Sequence, residues 1–143
     1  MTDAERMAAE HACEKLMRQF ANLNDARDFT GLAALFAEDA RYARPTDPDR
    51  WVEGRAAIQA AFEGRPATKL TRHIVSNAVV TVDGPTEASG VSYVTLSAGP
   101  AVETGLVKAD PALIGGFHDR YVKLDGRWLF KERKGSVVMT MAG

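Results

Sequence analysis

Arg120-Tyr-Val-Lys-Leu-Asp125-Gly126-Arg-Trp128-Leu-Phe-Lys-Glu-Arg133 holds an Asp-Gly pair between two runs of alternating side chains. Asp and Gly tolerate the left-handed backbone that a two-residue hairpin turn requires, so the stretch predicts two antiparallel strands, Leu113 to Leu124 and Trp128 to Val138. A second turn, Asp83-Gly84-Pro85, separates two further strand-like runs, Leu70 to Val82 and Glu87 to Ser97. Between the pairs of strands, Ala98 to Pro111 contains two glycines and two prolines and reads as a loop.

Upstream of Lys69 the period is helical. From about Ala4 to Asn24, Ala9, Cys13, Leu16, Phe20 and Leu23 recur every three or four positions, which makes an amphipathic helix with one buried stripe. Asn24-Asp25-Ala26-Arg27-Asp28 interrupts it. Asp28 or Thr30 then caps a short second helix carrying Leu32, Leu35 and Phe36. A short strand at Arg41 to Arg44, a loop at Pro45 to Asp49 and a second short strand at Trp51 to Glu53 lead to a third helix, Gly54 to Glu63. Three helices followed by an antiparallel meander predict an α+β fold, a cone in which the helices pack on one face of a curved, mainly antiparallel sheet. Phe20, Tyr42, Trp51, Phe62, Tyr93 and Phe117 are available to line a cavity between helices and sheet and bind a small hydrophobic molecule. Which of them face inward is left to tertiary structure.

A chain of 143 residues fits a single domain spanning 1–143, large enough for one core and a pocket. Its 18 basic residues nearly cancel 19 acidic ones, and no run of five like charges occurs, so nothing points to nucleic acid or an anionic membrane as partner. The apolar stretches are too short to span a bilayer, and the opening MTDAERMAAEH is charged instead of signal-like, which predicts a soluble cytoplasmic protein. The single cysteine, Cys13, has no disulfide partner, and no Cys or His stands at metal-ligand spacing around it. No phosphate-binding glycine loop or nucleotide fingerprint is present, so neither a cofactor nor a metal is expected.

Asp25 and His73 are the residues with chemical promise. If the fold joins them across 48 positions, a carboxylate orients an imidazole, whose ordinary pKa of about 6.5 suits a general base near neutrality. The same residues also fit a helix cap and a half-buried strand histidine. Arg133 lies in Lys131-Glu132-Arg133-Lys134, which by composition fits a solvated, charged strand edge. Parity places His118 on the sheet face opposite Phe117, at the surface, and His11 sits among helix charges.

Four segments together resemble the nuclear transport factor 2-like superfamily and, within it, the SnoaL-like polyketide cyclase and dehydratase group. They are Asp25-Ala-Arg-Asp28-Phe-Thr-Gly-Leu-Ala-Ala-Leu-Phe-Ala-Glu-Asp39-Ala, Gly54-Arg-Ala-Ala-Ile, Thr71-Arg-His73-Ile-Val-Ser-Asn77, and the hairpin ending in Arg133. A narrower likeness is to its lyases, scytalone dehydratase and hexachlorocyclohexane dehydrochlorinase, in which an Asp after the first helix orients a His on the first long strand. Asp25 and His73 match those positions, and Arg133 matches a pocket arginine of the dehydrochlorinase, which makes it a candidate stabiliser of a leaving anion. The pattern departs elsewhere: Phe20 replaces the dehydrochlorinase lysine, Asn24 and Arg44 replace two tyrosines of the dehydratase, and Phe117 replaces its asparagine.

The resemblance implies a cofactor-independent lyase or isomerase, dehydratase- or cyclase-like, that removes a proton from a small hydrophobic, possibly cyclic substrate with His73 and Asp25. The alternative is a non-catalytic small-molecule-binding or assembly module on the same fold. An open curved sheet also leads us to expect a homo-oligomer, with the resemblance favouring a trimer over a dimer.

Overall fold

Thr2 opens the first helix with a reciprocal cap: its hydroxyl accepts from the Glu5 N–H at 3.1 Å, and the Glu5 carboxylate accepts from the Thr2 N–H at 2.8 Å. The computed structural model describes residues 1–103 and 105–141. Its elements are α1 (Asp3–Asp25), α2 (Phe29–Ala33), β1 (Phe36–Ala43), β2 (Val52–Glu53), α3 (Arg55–Glu63), β3 (Lys69–Val82), β4 (Glu87–Pro100), β5 (Leu113–Leu124) and β6 (Arg127–Thr140). The strands form one six-stranded sheet in the order β2-β1-β6-β5-β4-β3. All pairings are antiparallel except β1 with β6, where Tyr42 sits opposite Arg133 in a parallel register.

The expected α+β architecture is therefore present: three helices on a mixed, mostly antiparallel sheet. Register shifts between Ser76 and Val79 on β3, and at Ile114/Gly115 and Arg120/Tyr121 on β5, mark the irregularities that let such a sheet bend around its helices. The β5–β6 turn has Asp125 at φ 50° and Gly126 at φ 77°, the left-handed pair that the Asp-Gly signal predicts.

Two boundaries differ from expectation by three residues or more, both because tertiary partners outweigh local pattern. Leu35 and Phe36 do not extend α2. The Phe36 carbonyl accepts two bonds from the Arg55 guanidinium, at 2.9 and 2.7 Å, and the Phe130 N–H donates to the Leu35 carbonyl at 2.8 Å, so the chain is extended from Phe36 onward. At the other end, β4 runs past Ser97 to Pro100 because Leu70 and Lys69 of β3 pair with Gly99 and Pro100. The remainder of the expected 98–111 loop includes Thr104, and the C-terminal segment includes Ala142 and Gly143; these three lie outside the described residues.

The core is aromatic and centred on Phe20 of α1. Its ring centroid lies 5.7–6.1 Å from those of Phe36, Tyr42, Phe62, Phe117 and Phe130. A side chain so enclosed contributes about 3–5 kcal/mol against truncation to alanine. Cys13 is buried beside this cluster, and its burial, followed by the charges of Asp119 and Glu14, pushes the thiol up to about 12, leaving it an inert packing group. On the outer sheet face Ile74, Val79, Val91 and Tyr93 stay exposed.

Candidate functional site

α1 ends where Arg27 takes a left-handed conformation, φ 56°, and the Asp28 N–H caps the Leu23 carbonyl at 2.9 Å. This leaves Asp25 on the last helical turn, against the start of β3, on which α1 packs. Asp25 Oδ2 accepts from the His73 backbone N–H at 2.9 Å; Oδ1 accepts from the Thr71 hydroxyl at 2.9 Å and lies 2.5 Å from His73 Nδ1. Burial alone would push the Asp25 carboxyl up. The His73 ring bond, the His73 N–H, the imidazole charge and the Thr71 hydroxyl outweigh that and hold it below the usual carboxylate range. An ionised Asp25 can only accept, so Nδ1 carries the ring proton and the lone pair of a neutral His73 lies on Nε2.

His73 is on the wall of a cavity of about 160 Å³, whereas Asp25 is behind it, with side chains 16% and 11% exposed. Phe20, Val94, Leu96, Leu113 and Phe117 supply most of the apolar wall, and Asn24, Tyr42, Arg44, Arg65 and Ser136 supply polar groups. The alternation of β3 explains the placement: Thr71, His73 and Val75 point toward the helices while Arg72 and Ile74 point away.

Of the six aromatic residues proposed to line a cavity, Phe20, Tyr42 and Phe117 do so. Phe62 is fully buried 5.4 Å from Tyr42 and belongs to the wall of an adjoining groove of about 220 Å³. Trp51 does not reach the cavity; its ring stacks under the Arg41 guanidinium at 3.9 Å, with the Lys134 ammonium at 5.7 Å. Tyr93 is likewise misplaced by the expectation, being 58% exposed on the outer face because its strand neighbours Ser92 and Val94 take the inward positions.

Arg133 corrects the reading of a solvated strand edge. β6 is a central strand, flanked by β1 and β5, and Arg133 points inward with its side chain 1% exposed. Its Nη1 donates to Asp119 Oδ2 at 3.0 Å, and the same oxygen accepts from the Tyr121 hydroxyl at 2.9 Å. The guanidinium carbon stacks 3.7 Å from the Phe117 ring centroid, 4.5 Å from Phe20 and 4.7 Å from Phe130. Arg133 is not on the cavity wall; it braces the rings of Phe20 and Phe117, which are. Burial pushes the Asp119 carboxyl up to about 6 despite the nearby Arg133 charge and the Tyr121 bond, and Asp119 Oδ1, Arg133 Nε and Ser92 Oγ are buried without partners. Asp119 was missed in the sequence, yet the parity that sends His118 outward sends Asp119 inward with Phe117, opposite Arg133 in register.

Among the described residues no group of three or more His, Cys, Asp or Glu side chains is gathered to hold a metal ion, and no helix is long and apolar enough to cross a membrane.

Residues 5–134 match the sequence model of the SnoaL-like domain, and the chain belongs to that family. A provisionally assigned scytalone dehydratase of Novosphingobium aromaticivorans is similar in structure at a TM-score of 0.83 and 29% identity, covering 98% of this chain and 91% of that one. A type 2 hexachlorocyclohexane dehydrochlorinase (LinA) is similar at a TM-score of 0.83 and 17% identity, over 99% of this chain and 95% of its own. The ActVI-ORFA protein of Streptomyces coelicolor is similar at a TM-score of 0.70 and 23% identity, over 89% and 95%. At these last two identities the likeness is one of fold. No curated protein matches the sequence.

Proposed function

We propose that this protein is a cofactor-independent lyase or isomerase of the dehydratase kind, with His73 as general base and Asp25 as its orienting carboxylate. The observation that carries the reading is that His73 lines the cavity with Nδ1 engaged by Asp25, which leaves the Nε2 lone pair for substrate. In an elimination, Nε2 takes a proton from a C–H bond, the C–H electron pair becomes a C=C bond, and the bond to the departing hydroxide or halide breaks with its electrons. An ionised Asp25 stabilises the imidazolium as it forms. In an isomerisation the same ring returns the proton to another atom. Membership of the SnoaL-like family and the 29% identity to the Novosphingobium protein support this class of reaction.

Arg133 does not contact the cavity, so departure of the leaving group is assigned to the polar groups on the wall, Tyr42 first among them because its phenol is buried there. The test is turnover of hydroxylated and halogenated cyclic compounds by wild type and by His73→Ala. Loss of turnover in a folded variant supports the reading. Equal activity in the variant removes His73 as the base, and absence of turnover in wild type across the panel favours the non-catalytic binding module.

A further inference from the structure

Tyr42, Arg44 and Arg65 stand on the wall shared by the cavity and the adjoining groove, and two of the three carry charge that the proton-transfer chemistry does not use. Arg44 directly follows β1, and Arg65 follows the Gly64 that ends α3. The Arg65 guanidinium carbon lies 4.1 Å from the centroid of Phe62, a fully buried ring, so the charge is held in place by stacking and its N–H donors need no carboxylate to position them.

Of the arginines close to this wall, Arg41 pairs with Glu132 at 2.9 Å and Arg133 with Asp119 at 3.0 Å, whereas Arg72, Arg120 and Arg127 on other strand positions have no acid partner among the described residues. Among the described residues, neither Arg44 nor Arg65 has a carboxylate within 4.0 Å. The groove side adds Arg50 and a single acid, Asp47, so the local balance is positive in a chain whose net charge is −1. Burial pushes the Tyr42 phenol up despite the charges of Arg65, Arg133 and Arg44, so the phenol stays neutral beside the wall arginines.

Apart from these cations the cavity wall is mainly apolar, with Phe20, Phe117, Val94, Leu96 and Leu113 beside His73, Asn24 and Ser136. An apolar cavity of about 150 Å³ accommodates benzene. A volume of about 160 Å³ is therefore matched to one six-membered ring. We propose that the substrate is a small carboxylate whose ring-sized apolar body fills the cavity beside His73 and whose carboxylate is bound by Arg44 and Arg65 at the wall shared with the groove. Planar guanidinium groups bind carboxylates by paired, charge-assisted bonds, which fixes the head group and thereby the C–H presented to the base. The inference rests on the reading of this cavity as the substrate site, and it narrows a hydrophobic substrate to an amphipathic anion.

The experiment is a calorimetric and NMR titration with a size-matched pair, cyclohexanecarboxylate and cyclohexanecarboxamide. At low ionic strength wild type is expected to bind the carboxylate at least about tenfold more tightly, the worth of one charge-assisted bond. That advantage should shrink as salt is added, a readout that needs no variant. It should vanish in Arg44→Gln/Arg65→Gln, with the affinity for the amide falling much less than that for the carboxylate, and amide-proton shifts in wild type should map to Arg65, His73 and Leu96. His73→Ala should retain the preference whether or not it loses turnover, so a failed base and a failed anion site give different results. Equal affinity for the two probes, binding of neither at millimolar concentration, a preference that survives loss of both arginines, or one abolished by His73→Ala alone would each overturn the proposal.

Discussion

Between the helices and the sheet lie two pairs of a carboxylate with a nitrogen-bearing side chain, and they are built to opposite ends. His73 and Asp25 meet at the cavity, bonded through one ring nitrogen, with the other left over. Arg133 and Asp119 meet sealed from solvent, with the guanidinium stacked against Phe20, Phe117 and Phe130. Burial acts on both acids, yet their carboxyls move in opposite directions. Three hydrogen bonds hold Asp25 below its ordinary value, whereas Asp119 has an unpartnered oxygen and is pushed up to about 6. The contrast separates chemistry from support: a pair can move a proton when it keeps a lone pair on an open wall, and a sealed pair can only hold that wall in place.

Function separates the two pairs most directly. His73→Ala is expected to lower turnover by roughly 10²- to 10⁴-fold while costing about 1 kcal/mol of stability or less, since the Asp25 bond to the backbone N–H of residue 73 persists. Steady-state rates and denaturant unfolding on the same preparation check this.

Asp119→Ala should do the reverse. It strands a buried guanidinium and should cost about 3–5 kcal/mol in urea unfolding, whereas the apolar double replacement Arg133→Met/Asp119→Leu should recover most of that loss. A double variant as unstable as the single one would assign the cost to packing instead of charge.

Asp25→Asn should fall between them, losing about 1–2 kcal/mol of stability along with much of the turnover, because one carboxylate serves three donors.

The pH dependences sharpen the contrast through their signs. Asp25 is depressed below its unfolded value of 3.8, so its contribution is present above that pH and is lost as pH falls through the lower folded value. Asp119 is raised from 3.8 to about 6, so its contribution is complete below 3.8 and is lost as pH rises through about 6. In unfolding curves from acid to neutral pH, Asp25→Asn should show a weaker acid-limb loss than wild type. The stability deficit of Asp119→Asn should narrow as pH rises through the same window. The smallest effect belongs to the outer face. Tyr93→Ser should change stability by about 0.5 kcal/mol or less and leave ligand affinity unaltered, as titration would show.

Much of the architecture was legible. The heptad-like spacing from Ala9 to Phe20 carries α1, and Asp125-Gly126 carries the β5–β6 hairpin, because each is a local preference reinforced along one continuous segment. The start of β1 was not, since Phe36 is drawn into the sheet by Arg55 and its neighbour Leu35 by Phe130, partners remote in sequence. The roles of Arg133 and Tyr93 were also hidden. Alternation says that two residues face opposite ways but not which way is inward: composition made Arg133 look exposed and the resemblance put it in the pocket, yet it is buried behind the wall, while Tyr93 looked available to a cavity and is exposed.

By itself the sequence determined the order of helices and strands, the turns between them, and the two residues with suitable acid–base chemistry. Tertiary structure alone decided that Asp25 and His73 touch, that Arg133 is enclosed with Asp119, and that Arg44 and Arg65 share a wall. The physical reason is range. Periodicity and turn chemistry act over a few residues, whereas a bond between positions 25 and 73 exists only once the sheet has curved and α1 has packed across it.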